Sequence, residues 1–241
     1  MRTSNPALNE RNFKSYGAAL TKPMTRQGSI NKTFILLFIC IAASALTWGN
    51  WQAVVPYLRI CSIAAFIMAL VLIFKPATSP FLAPVYAIMQ GVVIGAISSI
   101  YNIKFPGIVF QAVGITMATL LVMLSLYTAR IIKVTAMLRS VIISTTFGVA
   151  FFYIALLLLG LFGVRPSFVG APTPLSIGIS LVVCVIAAFN FLLDFDFIER
   201  ATVYPSLPKY MEWYGAFGIL LTVIWLYIEV LSLLAKLKGR D

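Results

Sequence analysis

The sequence predicts an all-α integral membrane protein, a seven-transmembrane-helix bundle, on three observations. Hydrophobic side chains make up 61% of its 241 residues and charged ones 10%, which leaves too little polar surface to cover a soluble globule. Seven apolar runs approach the ~20 residues needed to cross a hydrocarbon core about 30 Å thick. Several prolines punctuate the boundaries between those runs, as breakers should.

The runs follow one another at 33–50, 57–74, 80–101, 108–129, 140–163, 175–198 and 213–235. Pro56 precedes the second, Pro76 and Pro80 separate the second from the third, Pro106-Gly107 follows the third, and Pro172 and Pro174 precede the sixth. Residues 33–241 therefore form the seven-helix transmembrane domain. Residues 1–32 are polar, carry six basic residues and lack an apolar core with a small-residue cleavage site. They are expected to be a flexible basic cytoplasmic tail, with the first span as its own insertion signal.

Net charge is +11. With seven spans, twelve of the eighteen basic residues fall on the amino-terminal side, which the positive-inside rule places in the cytoplasm. The expected location is the inner (plasma) membrane, multi-pass. The basic tail Lys236, Lys238 and Arg240 opposes that orientation of the carboxyl terminus. Trp48 with Trp51, and Trp213 with Tyr214, sit where interfacial aromatic belts belong. The charges are scattered among loops without a basic-aromatic surface, so the partners expected are the lipid bilayer and cations, with no nucleic acid. Cys40, Cys61 and Cys184 all lie in apolar segments and suggest neither disulfides nor a metal site. Histidine is absent, which removes HExxH metal sites, Ser-His hydrolysis and imidazole relays. No enzymatic activity, cofactor or resident metal is expected, and an intramembrane aspartyl protease is excluded because GAFG at 215–218 carries no GxGD aspartate.

Of the seven acidic residues, three lie in or beside apolar helices: Asp194 and Asp196 in NFLLDFDFIER, and Glu229 in LTVIWLYIEVLSLL. A carboxylate in hydrocarbon costs a few kcal/mol and so faces a partner, a cavity or an ion path. Two residues apart on a helix is about 200° of rotation, so Asp194 and Asp196 point to nearly opposite faces. Asp196 and Glu199 share a face at the cytoplasmic end, where Arg200 can screen them, and read as a solvated helix end. Asp194 lies one turn deeper, and Glu229 either snorkels outward or faces the bundle interior. Lys75 and Arg59 stand at levels that suit Asp194 and Glu229 as charge partners, or else anchor helix ends by snorkelling. Gln90 is polar inside the third span, next to Gly91 and Gly95, a GxxxG pattern that permits close helix approach.

LLDFDFI at 192–198 and LYIEVLSLL at 226–234 resemble the sixth- and seventh-helix motifs of the transmembrane Bax-inhibitor-motif (Bax inhibitor/YccA) family. SNPAL at 4–8 with NKT at 31–33 is similar to a bacterial branch of it. The resemblance implies a seven-helix bundle with the last helix near the centre. It also implies a pH-sensitive calcium leak gated by an aspartyl pair, to which Asp194 and Glu229 correspond, with Lys75 near the position of a pairing arginine and Asp196 at an amide position. Glu replaces Asp on the seventh helix. Placed 35 residues apart, the two carboxylates are expected near opposite membrane faces unless helices six and seven both extend through 199–211. Asp194 and Glu229 are thus expected as a pH sensor in a cation path, with Ca²⁺ the implied ion. The alternative is a non-transporting regulator of a membrane protease or quality-control complex, contacted through residues 1–32.

Overall fold

The computed structural model describes residues 23–163, 171–203 and 207–240. Among them are seven helices long and apolar enough to cross a membrane, at the places the hydropathy predicts, and no strand beyond an isolated bridge between Pro23 and Pro208. The helices are α1 (Arg26–Trp48), α2 (Leu58–Phe74), α3 (Ser79–Lys104), α4 (Ile108–Thr128), α5 (Ala136–Leu161), α6 (Pro174–Val203) and α7 (Met211–Lys238). Short turns at Trp51–Val54 and Val55–Tyr57 lead into α2, and one at Pro76–Thr78 leads into α3.

Local chemistry sets most helix starts. Thr25 caps α1 by accepting from the Gly28 N–H at 3.0 Å, and Thr135 caps α5 by accepting from that of Leu138 at 3.2 Å. Pro174 opens α6 at a position where a missing N–H costs nothing. The end of α4 is less ordinary. Arg130 donates its N–H to Tyr127 and Ile131 donates to Leu126, a Schellman closure whose central residue must be left-handed. Glycine usually fills that place, yet here it is Arg130 at φ 55°, the only non-glycine with positive φ among the described residues. The cost of that conformation is about 1–2 kcal/mol.

α7 occupies the centre, packed against α1, α3, α4 and α6, as the family resemblance implied. Around it, α1 lies along α3, α2 leans on α3, and α4 and α5 both lean on α6. The α1–α3 contact is the closest. A Cβ at Gly91 would stand 2.4 Å from the carbonyl oxygen of Cys40, and one at Gly95 2.4 Å from that of Ser44. The GxxxG pattern therefore joins two helices of one chain, which gain packing that lipid cannot compete with. α5 is attached differently. Ile142 is its one buried hydrophobic residue, and polar side chains seven residues apart tie it inward: Arg139 to Asp196, Thr146 to Asn190 and Tyr153 to Glu229.

Two boundaries differ from the hydropathy reading. α1 begins at Arg26, seven residues before the expected span, because Thr25 supplies a cap and the first turn is held against α7. Residues 26–32 thus belong to a helix rather than to a tail. Residues 1–22, the rest of the expected cytoplasmic segment and of the contact element in the regulator reading, lie outside the described residues. α6 also runs five residues past Ile198. This extension fixes the depth of its carboxylates.

Gly95→Ala is expected to cost about 1–3 kcal/mol, seen as a lower thermal unfolding midpoint in detergent, because backbone rather than side chain must yield. Gly114→Ala on α4, where a Cβ meets nothing within 4 Å, is the control and should not lower it.

Candidate functional site

Asp194 projects from α6 onto a strip of small residues on α7. Gly215, Gly218 and Thr222 succeed one another at helical spacing on that face, and a Cβ at Gly218 would lie 3.2 Å from Asp194 Oδ1. Thr222 donates its hydroxyl to Oδ2 at 2.7 Å. No hydrogen bond reaches Oδ1 and no cation reaches either oxygen among the described residues. Asp194 stands about two and a half turns before the end of α6 and meets α7 at Thr222, near the middle of that helix.

Glu229 is 6% exposed and faces inward, which settles the snorkelling alternative. Its Oε1 accepts from Tyr153 Oη of α5 at 2.6 Å and from Trp225 Nε1, one turn back on α7, at 3.3 Å. Lys236 lies within electrostatic range, but its ammonium donates to Ser180 at 2.7 Å. Asp194 and Glu229 therefore do not meet. The group that holds Asp194, Thr222, precedes Glu229 by seven residues, or about 10 Å along α7. The path between them is one face of the central helix.

Neither expected charge partner is engaged. Lys75 and Arg59 are exposed and join no ion pair among the described residues, because α2 packs on α3 and does not reach α6. Gln90 is half-buried and donates to the hydroxyl of the fully buried Tyr86 at 3.0 Å.

Asp196 corrects the solvated-end reading. It is 7% exposed and clamped from two sides, by Arg139 of α5 and by Arg200, whose Nε lies 2.9 Å from Oδ1 and 2.8 Å from Oδ2. Arg200 screens it as its spacing foretold, but Arg139 was invisible at 57 residues' distance. Glu199 beside it accepts from the Tyr127 hydroxyl.

Sequence reasoning missed a fourth carboxylate entirely. Glu212, 1% exposed, sits in the first turn of α7 and takes three donors: the N–H of Thr25 at 3.0 Å, its hydroxyl at 2.8 Å, and the Lys32 ammonium. Gly28 makes this possible, since a Cβ there would occupy the carboxylate's own position, 2.3 Å from Cδ. Lys32 also lies 5.5 Å from the Trp213 ring centroid. The signal in the sequence was slight: an acidic residue opening an apolar helix, with its partner 180 positions away. Backbone ties at the same end, Met24 N–H to Leu207 at 3.0 Å and Ser79 Oγ to Tyr210 at 2.9 Å, fasten α1 and α3 to the start of α7.

Among the described residues no group of three or more Cys, Asp or Glu is placed to hold a metal ion. Cys40 and Cys184 are buried and Cys61 half-buried, all as free thiols.

A family model described as Bax inhibitor 1 like matches residues 5–239 of the chain. Neither the curated proteins nor the solved structures give a match.

Lys32→Met should lower stability by about 3–5 kcal/mol, since it strands a buried carboxylate. The double variant Lys32→Met/Glu212→Gln should recover most of the loss, measured as thermal unfolding midpoints in one detergent.

Proposed function

The chain belongs to the Bax inhibitor 1 like family, and on that premise we propose that this polytopic membrane protein is a pH-responsive cation leak in which Asp194 and Glu229 act in series. Ca²⁺ is the first ion to test. The reading takes the protein to be a non-enzymatic inner-membrane protein with its amino terminus in the cytoplasm, the orientation that the basic-residue asymmetry favours.

One observation carries it. Asp196 and Glu212 are each neutralised by cations, whereas Asp194, deep on α6 and facing the central helix, is offset by a single hydroxyl. Because a charge at that depth costs a few kcal/mol, a position that serves only packing would hold a neutral residue. Protonation of Asp194 removes an unbalanced charge next to α7, and its loss of a proton creates an oxygen ligand there. Glu229, about 10 Å further along the same helix, offers a second ligand held ready by Tyr153. Two separate stations thus replace the single joined latch that the family resemblance implied. Weak, successive sites allow entry and release, as conduction requires.

Ca²⁺ flux into proteoliposomes across a pH series tests this. Wild type should conduct with a pH-dependent rate. Asp194→Asn should lose about tenfold in rate, a barrier change of ~1.4 kcal/mol, together with most of the pH dependence. Glu229→Gln should lower the rate and leave the pH dependence of Asp194. Identical flux in all three proteins would overturn the mechanism.

A further inference from the structure

The amino-terminal end of the bundle holds a cavity of about 590 Å³ bounded by the first turn of α1, the end of α4, the α4–α5 connection and the end of α6. Its walls include Arg26, Arg130, Lys133 and Arg200, with Asp196 and Glu199 the carboxylates present. Those two are already engaged: Asp196 by Arg139 and Arg200, Glu199 by Tyr127. Arg26, Arg130 and Lys133 have no hydrogen bond or ion pair from their side chains among the described residues, and all three are exposed. Among the described residues four cations, Arg26, Arg130, Lys133 and Arg200, thus line one cavity with two carboxylates, and the lining keeps an excess of positive charge. An anion suits that excess.

Arg130 adds a second, independent observation. The chain puts glycine at its other described positive-φ positions, Gly107 and Gly163. At the end of α4 it keeps an arginine in the strained left-handed conformation, where glycine would close the same turn without strain. An observed outlier of this kind points to use of the side chain. That side chain lines the cavity.

The surroundings identify the anion's class. α4 and α5 follow one another in sequence, yet both lean on α6, and the connection carrying Arg130 and Lys133 bridges the gap between them. Leu121 and Val122 on α4 and Met137 and Val141 on α5 are exposed apolar residues of the two spans that this connection joins. Cations beside exposed apolar faces of membrane-spanning helices match a molecule with a phosphate head and hydrocarbon tails. Guanidinium groups suit phosphate oxygens through paired, charge-assisted hydrogen bonds, and basic pockets between transmembrane helices are sites for anionic headgroups. We propose that this cavity binds the phosphate of an anionic phospholipid, with Arg26, Arg130 and Lys133 as its ligands and the acyl chains against the exposed apolar residues of α4 and α5. The inference is independent of ion conduction.

The test uses the full chain purified in a mild detergent and titrated with phosphatidylglycerol or phosphatidylcholine, with bound lipid counted by native mass spectrometry. Wild type should retain phosphatidylglycerol in preference to phosphatidylcholine. Arg130→Gly should weaken phosphatidylglycerol binding about fivefold, the factor for ~1 kcal/mol per basic residue at a membrane surface, while its thermal unfolding midpoint without lipid stays level or rises. Arg26→Gln/Lys133→Gln should weaken it further and needs no change of backbone. Equal retention of the two lipids, or unchanged phosphatidylglycerol binding in both variants, overturns the proposal. A third arm uses millimolar inorganic phosphate: an Arg130-dependent rise in unfolding midpoint with phosphate, without retained phosphatidylglycerol, overturns the lipid assignment in favour of a free anion.

Discussion

Hydrocarbon tolerates no unsatisfied polar group, and that constraint organises this molecule from its backbone to its charges. It is why the described residues inside the spans are helical, and why hydroxyls within them turn back on their own helix. Thr33 donates to Ser29, Thr47 to Ala43, Thr116 to Ala112 and Thr119 to Ile115, each at 2.8 to 2.9 Å. The same constraint sends the ion pairs to one end of the bundle, where Lys32 with Glu212, and Arg139 with Asp196 and Arg200, can reach the interface. Asp194 departs from the pattern, and its departure carries the functional reading.

Since lipid removes the usual hydrophobic drive between helices, close approach has to come from shape. Glycine supplies it twice. Gly91 and Gly95 let α3 lie against the backbone of α1, and Gly215 and Gly218 let α6 lie against α7 with Asp194 at the contact. The packing that makes the bundle and the geometry that presents the carboxylate are therefore one arrangement. Gly28 does the same for Glu212 at the bundle end. Substitution at Gly28 or Gly218 would act on a carboxylate as well as on fit.

The architecture was legible in the sequence because membrane thickness and hydropathy fix span lengths with little help from tertiary contacts. Side-chain partners were not. Arg200 could be assigned to Asp196 because the two are four apart on one helix, a local relation. Arg139, Lys32 and Tyr153 reach their carboxylates from helices 57, 180 and 76 positions away, and no periodicity encodes which helices are neighbours. Lys75 and Arg59 failed as partners for that reason: depth was the sole ground for pairing them, and α2 packs chiefly on α3. The separation of Asp194 and Glu229 was anticipated in kind, though the longer α6 and the earlier start of α7 reduced it to about two turns.

The ladder that secures α5 sets this helix apart from the other spans. Arg139, Thr146 and Tyr153 form three rungs spaced about two turns apart, and almost no buried apolar surface stands behind them. Rungs of this sort hold by little more than the strength of their own hydrogen bonds, about 1 kcal/mol each for the neutral ones in a bilayer. The packing of α7 on α1, α3, α4 and α6 involves none of these rungs, so α5 is the helix whose seat in the bundle depends least on shape and most on polar pairs.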